Sequence, residues 1–470
     1  MIFPLKSLAT IILLTSLPLH ALQTVLEQKG LKQRSTEQHS AEQKYDGSDI
    51  TGIEQIIAQL NQQEHGTSTQ QWRIDAQARI NKYRKSSLAI KVIDEHGNSV
   101  TNAKVQLKQL SHDFTFGGVI KAKEFSHQAA VLPHFISQIG FNNALKYKHK
   151  GGLAKHAQPV IDWAKQHKIS VRGHCLIYPG WIFMHKDAKH LQHSNDIPAL
   201  RSYFENQIND YASKWDVVEW DVMNETLDNF EIPNLLGGEV KAQWFKQAKQ
   251  KVKNKDARLI INENRIISAP PENIDRIESY KEEIKEVLAD GGPIEAIGMQ
   301  SRFRVDSITP KMVYQRLQQF NEFNLPIVAT EFEIVNTPKY NFKPTNLRRA
   351  QMTEEYMQVL FSHPNVDGII AWTTLNALTS RSSMHSKPTN EKETKGILNW
   401  DMTLPLNGKV WLYLTNKHWR TNVTTQTSSS GQIKVNAFHG NYQVTLGHGD
   451  NVTSHFIHID KNTKAVTLTL

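Results

Sequence analysis

The sequence predicts an α/β fold in which eight parallel strands and their helices close into a (β/α)8 TIM barrel with a small accessory β-module. Apolar runs that end in polar or aromatic residues alternate with segments of helical spacing, which is typical of parallel βα units. The 470 residues suffice for a barrel of about 250 residues plus accessory segments. Two of the apolar runs end in a glutamate, and a barrel brings all its strand ends to one rim.

The elements of the barrel follow from this alternation. The predicted strands are Phe114–Val119, Ile139–Asn143, Ser170–His174, Val217–Asn224, Leu259–Asn262, Ala296–Gln300, Ile327–Glu331 and Gly368–Trp372. The predicted helices are Pro159–His167, Ile197–Ser213, Val240–Lys251, Asn273–Ala289, Pro310–Phe323 and Leu347–Ser362. Because the active site of such a barrel lies at the carboxyl ends of its strands, we expect the functional residues there.

Two strand ends carry the first candidates. The run W-D-V-V-E-W-D-V-M-N-E, from Trp215 to Glu225, is apolar and β-branched in its middle and ends in Asn224 and Glu225. The same pair is also compatible with a helix N-terminus, where Asn224 caps the helix and Glu225 favours its dipole. A second run, L-P-I-V-A-T-E-F-E-I, contains Thr330 and Glu331 at the end of its apolar part. Two such strands in one parallel barrel place both carboxylates at the same rim.

The motif W-D-V-M-N-E, followed at this distance by T-E-F-E-I, resembles the acid/base and nucleophile motifs of glycoside hydrolase family ten, the retaining endo-β-1,4-xylanases. The resemblance covers about 79–442 and extends to the plant-like type through the segment F-T-F-G and the tail F-H-G-N-Y. It implies that Glu225 is the acid/base, that Asn224 bonds the sugar 2-hydroxyl and that Glu331 is the nucleophile. The implied reaction is retaining cleavage of internal β-1,4 bonds of a xylan-like polysaccharide, without cofactor or metal.

Further strand ends resemble the sugar-binding motifs of the family. The segment N-A-L-K-Y resembles N-x-M-K-W, and R-G-H is present at 172–174. The substrate-binding residues implied by the resemblance are Asn143, Lys146, His174, Tyr178, Asn224, Gln300 and Trp372. Two positions depart from the family pattern, since Asn142 stands where an acidic residue is usual and Tyr178 where a tryptophan is usual. These departures keep another β-linked glycan open as the substrate.

The residues that support the nucleophile have also changed. In the family, the histidine of Q-x-H lies beside the nucleophile and is held by the aspartate of T-E-x-D, whereas this chain has Arg302 and Glu333. A guanidinium is permanently charged and bonds carboxylates as a two-pronged fork, so we expect an Arg302–Glu333 pair that lowers the pKa of Glu331. The alternative is that Arg302 points elsewhere. Asn262, in an N-E-N form of the fifth-strand N-D-Y motif, is the third supporting residue.

Five segments are predicted along the chain. Residues 1–21 form a signal peptide, since Lys6 precedes an apolar run and the cleavage pattern Leu19-His20-Ala21, with a retained anchor as the alternative. Residues 22–85 are a polar, partly helical lead-in, and residues 86–111 form a β-hairpin module around the turn E-H-G-N. The catalytic barrel takes residues 112–423. Residues 424–470 form a C-terminal β appendage that we expect to pack on the hairpin.

The N-terminal segment, the cysteine count and the charge indicate where the protein acts and what it binds. The signal peptide predicts a secreted protein, extracellular, periplasmic or at the cell surface, with no stable membrane insertion after cleavage. The single Cys175 allows no intrachain disulfide. The net charge of +9 is compatible with an acidic polysaccharide or with a solvated surface, and the dispersed basic residues argue against nucleic acid. We expect a monomer. A non-enzymatic alternative also remains, in which the barrel binds a glycan without cleaving it.

Overall fold

The computed structural model describes residues 52–57, 67–376 and 395–470, with side chains from residue 71 onward in the second range. The predicted signal peptide and most of the predicted lead-in lie outside these ranges. Within the lead-in, residues 53–57 are helical and a longer helix begins at Thr67. No helix in the described ranges is long and apolar enough to cross a membrane.

Strands and helices alternate through the middle of the chain. The strands are β1 Lys85–Ile93, β2 Lys104–His112, β3 Thr115–Ile120, β4 Gln138–Phe141, β5 Ser170–Ile177, β6 Glu219–Asn224, β7 Arg258–Asn264, β8 Ala296–Gln300, β9 Arg302–Phe303, β10 Ile327–Ile334, β11 Val366–Ala371, β12 Asn422–Gln426, β13 Gln432–Phe438, β14 Gly440–His448, β15 Asn451–Ile459 and β16 Ala465–Thr469. The helices are α1 Thr67–Tyr83, α2 Phe125–Gln128, α3 Ala157–Gln166, α4 Ile197–Lys214, α5 Glu231–Leu236, α6 Val240–Lys251, α7 Asp275–Ala289, α8 Pro310–Gln318, α9 Asn346–Ser362 and α10 Leu406–Tyr413.

Within the described residues, eight parallel strands form a closed barrel. Their order is β3-β4-β5-β6-β7-β8-β10-β11, and the barrel closes because β11 pairs with both β10 and β3. Strands β6 and β10 are buried along their whole length, since helices cover the outside and side chains fill the inside. The short β9 pairs with the end of β10 and extends the rim. The predicted (β/α)8 barrel is confirmed, and each predicted strand overlaps an observed barrel strand.

A glycine in the R-G-H motif makes room for a tryptophan of the next strand. Trp220 on β6 is fully buried, and a Cβ atom at Gly173 of β5 would lie 2.1 Å from its ring. Any other residue at Gly173 would therefore overlap Trp220. Because side chains alternate along a strand, Arg172 and His174 on either side of the glycine both face the opposite way, into the barrel.

A chain of ion pairs runs through the barrel interior. Arg258, at the start of β7, pairs with Asp367 of β11 and, through Nη2, with Oε2 of Glu219 at 2.7 Å. Arg172 then bonds the other oxygen of Glu219 at 2.9 Å and Oδ1 of Asp221 at 2.7 Å. Arg172, Glu219 and Asp221 are fully buried, so each charge depends on its neighbour for compensation.

The accessory module is a sandwich of two small sheets. Strand β1 lies between β13 and β16, whereas β2 lies between β12 and β14, with β15 at the edge. Leu88 and Ile90 of β1 and Val105 and Leu107 of β2 are buried in the core between the sheets. The β-hairpin predicted at 86–111 is therefore wrong in its pairing. Each strand has one buried aliphatic face, and two such faces cover each other only when the strands lie in opposed sheets.

Both ends of the described chain contribute to this sandwich. β1 pairs antiparallel with β13 and parallel with β16, and β2 pairs antiparallel with β12 and β14. An accessory module built from N- and C-terminal segments, as predicted, is confirmed. The tail motif F-H-G-N-Y turns the chain from β13 into β14. Its Gly440 has a φ of +150°, and a Cβ atom there would lie 1.9 Å from the carbonyl oxygen of Ser111.

Substitution of Arg172 by methionine tests the buried ion chain. Arg172→Met keeps much of the side-chain volume but leaves Glu219 and Asp221 without their shared guanidinium. We therefore expect the free energy of unfolding to fall by about 3–5 kcal/mol. Urea unfolding followed by tryptophan fluorescence measures the loss, with Arg201→Met on α4 as the control. A loss below about 1 kcal/mol, as at an exposed ion pair, would contradict the compensating role.

Candidate active site

Glu225 and Glu331 meet at the C-terminal rim of the barrel. Glu225 directly follows β6, has a φ of +56°, and donates its backbone N–H to the carbonyl of Asn262 at 2.9 Å. Helix α5 begins only at Glu231, so the alternative of a helix N-terminus at Asn224 and Glu225 is wrong. Glu331 lies in β10, and the charge of Glu225 acts on it. The two carboxylates thus lie close enough for their charges to interact.

The Glu225 carboxylate is held from two sides. The Tyr178 hydroxyl, just past the end of β5, donates to Oε2, and Gln300 at the end of β8 donates from Nε2 to Oε1 at 2.7 Å. Tyr178 stacks on Phe183 with 3.4 Å between ring centroids. Burial and the charge of Glu225 raise the pKa of Tyr178, so its hydroxyl stays protonated and remains a donor. The Glu225 side chain is therefore fixed across the ends of three strands.

Glu331 is buried, and burial raises its pKa to about 8. The guanidinium of Arg302 acts in the opposite direction, the charge of Glu225 adds to the rise, and the ammonium of Lys146 reduces it. Arg302 lowers the pKa of Glu331 as expected, but the net shift is upward because the loss of hydration outweighs the nearby positive charges. Arg302 limits the rise without reversing it.

The position of one proton decides whether this pair can act. The roles predicted from the sequence place the proton on Glu225 and the charge on Glu331. Burial of Glu331 favours the opposite arrangement, whereas Arg302 and Lys146 stabilise its charged form. These positive neighbours therefore increase the fraction of Glu331 that is ionised.

Arg302 pairs with Glu333, though without the expected fork. Nε and Nη2 of Arg302 both donate to Oε2 of Glu333, at 3.1 and 3.0 Å. The other oxygen, Oε1, accepts from the Thr373 hydroxyl at 2.6 Å and lies 3.8 Å from Nζ of Lys395. A two-oxygen fork does not form because Thr373 occupies the second oxygen. The alternative in which Arg302 points elsewhere is wrong.

His174 is buried inside the rim, and Asp221 sets its orientation. Its Nδ1 lies 2.7 Å from Oδ2 of Asp221, whose other oxygen accepts from Arg172. Burial and the charge of Lys146 lower the pKa of His174 to about 4, although Asp221 opposes them, so the imidazole is neutral at neutral pH. The contact with Asp221 assigns the ring proton to Nδ1 and leaves Nε2 as an acceptor. Trp372 meets the ring edge-on at 5.7 Å.

Asn224 belongs to a chain of side-chain hydrogen bonds. Asn262 donates from Nδ2 to Oδ1 of Asn224 at 2.9 Å, and the Thr330 hydroxyl donates to Oδ1 of Asn262 at 2.7 Å. Gly298 on β8 leaves room for this chain, because a Cβ atom there would lie 2.6 Å from Oδ1 of Asn262. With its oxygen occupied, Asn224 presents its NH2 group as a donor, which suits a sugar hydroxyl.

The residues assigned to the distal sugar lie on the other side of the cleft. Nζ of Lys146 is 5.7 Å from the ring centroids of both Tyr178 and Trp372. Asn143 lies farther out, just after β4, and donates from Nδ2 to Oδ1 of Asn142. Aromatic rings beside a cation and amide groups form a surface suited to hydroxyl groups and sugar C–H faces. In the part of the chain that the structure describes, no group of three or more His, Cys, Asp or Glu is placed to hold a metal ion.

A comparison with protein families decides the identity of this barrel. The sequence model described as Glycosyl hydrolase family 10 matches residues 106–402, which include every barrel strand. The chain belongs to glycosyl hydrolase family 10. The family resemblance inferred from the W-D-V-M-N-E and T-E-F-E-I motifs is confirmed.

Proteins similar to this family 10 chain include an anti-sigma factor and xylanases. Anti-sigma-I factor RsgI6 of Acetivibrio thermocellus is 26% identical over 391 residues, 80% of this chain and 47% of that protein. Endo-1,4-beta-xylanase 1 of Arabidopsis thaliana is 24% identical over 412 residues, 84% of this chain and 40% of that protein. The chain thus spans less than half the length of these two relatives. Xylanase 10B from Thermotoga petrophila, solved with xylobiose, shares the fold with a TM-score of 0.53 at 17% identity, over 65% of this chain and 95% of that one.

The family 10 site also contains residues that sequence analysis did not identify. Asp221 holds His174, and Thr373 and Lys395 lie against Glu333. A sequence pattern could have identified Asp221. Glu219 and Asp221 are charged residues at alternate positions of an apolar strand and therefore share one face. Thr373 and Lys395 lie outside the strands, where no periodic pattern marks their direction.

Removal of the Arg302 charge should change the pH dependence of activity. In Arg302→Gln the pKa of Glu331 rises further above about 8, and the nucleophile acts only when it is ionised. We expect the acidic limb of the kcat/KM profile to move up by about one pH unit, with rates below that limb about tenfold lower. Hydrolysis of a chromogenic xylo-oligosaccharide from the acidic to the alkaline range measures the shift.

Arg302→Lys is the matched control, because it keeps the charge and gives up one of the two contacts with Glu333. Its acidic limb should stay within about half a pH unit of the unaltered protein. If the unaltered protein and both variants had identical pH profiles and differed only in thermal stability, Arg302 would have a purely structural role.

Proposed function

We propose that this family 10 protein is a retaining endo-β-1,4-xylanase that cleaves internal bonds of xylan and needs no cofactor. The observation that carries the proposal is the pair of carboxylates, Glu225 and Glu331, at one barrel rim. The neighbours of both carboxylates support these roles, although burial alone disfavours the charge on Glu331. Glu225 is held in place by hydrogen-bonding side chains, and Glu331 is buried beside the positive charge of Arg302.

The reaction takes two displacements. In the first, Glu225 gives its proton to the glycosidic oxygen while an oxygen of Glu331 forms a bond to the anomeric carbon, and the leaving fragment departs as an alcohol. In the second, Glu225 takes a proton from water, the water oxygen bonds the anomeric carbon, and the bond to Glu331 breaks. Two inversions at the same carbon restore the original configuration.

The other side chains bind and orient the sugar that is attacked. Nε2 of His174 accepts a hydrogen bond from a sugar hydroxyl, and the NH2 group of Asn224 donates a hydrogen bond to a hydroxyl oxygen. Trp372 and Tyr178 supply aromatic surface for the sugar face, and Lys146 donates between them. The neutral state of His174 matters, because an imidazolium would repel Lys146 and would lose its acceptor.

Xylan is proposed as the substrate on two grounds. Several relatives of known name are xylanases, and the site keeps the positions that resemble xylan-binding motifs. The changes at Asn142 and Tyr178 support the alternative of another β-linked glycan handled by the same mechanism. The changed supporting residues, Arg302 and Glu333, together with Asn142, favour a second candidate, a glycan-binding barrel without hydrolysis.

Reducing-sugar release separates these candidates. We expect cleavage of glucuronoxylan and arabinoxylan, little cleavage of mixed-linkage glucan or carboxymethylcellulose, and a loss of kcat of about 10⁴-fold or more in Glu331→Ala. Proton NMR of the first product should show the β-anomer, since the mechanism retains configuration. Glu282→Ala, on the exposed face of α7, is the matched control and should keep full activity.

Two other outcomes would indicate a different substrate or a different function. Cleavage of a different β-linked glycan, abolished by Glu331→Ala, would keep the mechanism and change the substrate. Silence on every polymer, with xylan still retarding the protein in an affinity gel, would establish the binding barrel.

We also propose that the protein is exported and acts as a monomer. The support for export is the segment 1–21, and the support for a monomer is that one barrel carries both carboxylates. Leu13→Arg interrupts the apolar run of the signal and should leave the protein in the cytoplasm, whereas Gln43→Arg in the lead-in should not. N-terminal sequencing of exported protein should begin at Leu22. An uncleaved, membrane-bound form would favour a retained anchor.

A further inference from the structure

Arg304 lies at the rim of the barrel, close to Arg302 and Glu333. It directly follows β9, which pairs with the end of β10. Its Nε is buried and, among the residues that the structure describes, has no hydrogen-bond partner. The neighbouring guanidiniums are neutralised, Arg302 by Glu333 at 3.0 Å and Arg265 by Asp228 at 2.6 Å. Arg304 therefore adds an uncompensated positive charge to the rim.

The surroundings of Arg304 increase this excess of charge. Burial and the guanidiniums of Arg302 and Arg265 lower the pKa of Arg304, while Glu333 and Tyr340 act in the opposite direction. Arginine keeps its proton in proteins, so the charge persists. A bound anion would supply a negative charge beside Arg304 and offset the effect of the two neighbouring guanidiniums.

Arg304 lies on the leaving-group side of the cleft. Arg265 follows β7, the fifth barrel strand, and Arg304 follows β8 and β9, whereas Asn143 and Lys146 follow β4, the second strand. A sugar chain whose distal unit contacts Asn143 and Lys146 crosses the two carboxylates and continues toward β8 and β10. The fragment that departs after cleavage is therefore the part that passes Arg304.

Tyr340 provides an aromatic surface near the charge. It lies in a short loop after β10 that Thr337 and Phe342 close through two backbone hydrogen bonds of 2.8 and 3.1 Å. A ring next to an arginine suits a sugar that carries a carboxylate. The ring packs on the C–H face of the sugar, and the guanidinium donates two parallel bonds to the carboxylate.

We propose that Arg304 and Tyr340 form a subsite that binds the carboxylate of a uronic acid branch on the leaving-group side of the xylan chain. This inference rests on the proposed xylanase function and names the class of xylan that the site prefers. Unbranched β-1,4-xylan is neutral, and its hydroxyl groups do not require a free guanidinium. A uronic acid branch carries a full negative charge near neutral pH, and Arg304 selects for it.

The test compares glucuronoxylan with the same polymer after its carboxyl groups have been reduced to alcohols. We expect kcat/KM of the unaltered protein to be about tenfold higher on the acidic polymer, as for a hydrogen bond to a charged group, and Arg304→Gln to abolish the difference. Added sodium chloride should reduce the preference by screening. Equal kcat/KM on both polymers for the unaltered protein, or an unchanged preference in Arg304→Gln, overturns the inference.

Three further measurements separate a uronic acid subsite from a general effect of charge. Arg201→Gln on α4 removes the same charge away from the rim and should keep the preference. Arg304→Lys keeps the charge without the two parallel bonds and should show an intermediate preference, which also covers the case that Arg304→Gln does not fold. Free glucuronate should inhibit cleavage of uncharged xylohexaose more strongly than inorganic phosphate at equal ionic strength. Equal inhibition by the two anions means a general anion site and overturns the assignment to a uronic acid.

Xylohexaose also separates this inference from the function on which it rests. If the unaltered protein does not cleave xylohexaose, the xylanase proposal itself fails. If it cleaves xylohexaose and shows no preference for the acidic polymer, only the role of Arg304 fails.

Discussion

The site depends on a chain of charges that passes through the inside of the barrel. Its members are joined in the order Asp367, Arg258, Glu219, Arg172 and Asp221. Taken singly, each of the inner members is a buried charge that costs several kcal/mol, and together they compensate one another. At the upper end Asp221 uses its second oxygen to hold His174. The orientation of the His174 side chain is thus determined by contacts that reach the opposite half of the barrel.

At the rim, a permanently charged group occupies the position that the resembled motif gives to a histidine. A histidine changes its charge near neutral pH, whereas the guanidinium of Arg302 does not. The support that Glu331 receives from this neighbour is therefore the same at every pH at which the fold persists. Glu333 completes the arrangement, since it neutralises Arg302 while Thr373 and Lys395 lie at its other oxygen. The raised pKa of Glu331 shows that this fixed charge offsets only part of the cost of burial.

The sequence was most informative where structure is local. Apolar runs with polar ends locate all eight barrel strands, and the rule that parallel strands share a rim places Glu225 and Glu331 together from the sequence alone. It was least informative where a property depends on many neighbours. The direction of the Glu331 pKa shift follows from burial by several strands at once, which no single motif encodes. The hairpin error has a similar origin, because alternation identifies the buried face of β1 and of β2 without identifying the strand beside it.

The sandwich makes the first strand of the folded body depend on the last. Ala89 in β1 pairs with Ala465 in β16, and Leu88 pairs with Val435 in β13. During synthesis, β1 therefore has neither of its neighbours until the barrel and then β13 and β16 have emerged, and its apolar face stays uncovered for that time. A chain that lacks β16 keeps an unpaired strand edge, which favours aggregation and proteolysis. The small module thus distinguishes chains that contain β16 from shorter ones, a task separate from anything that happens at the rim.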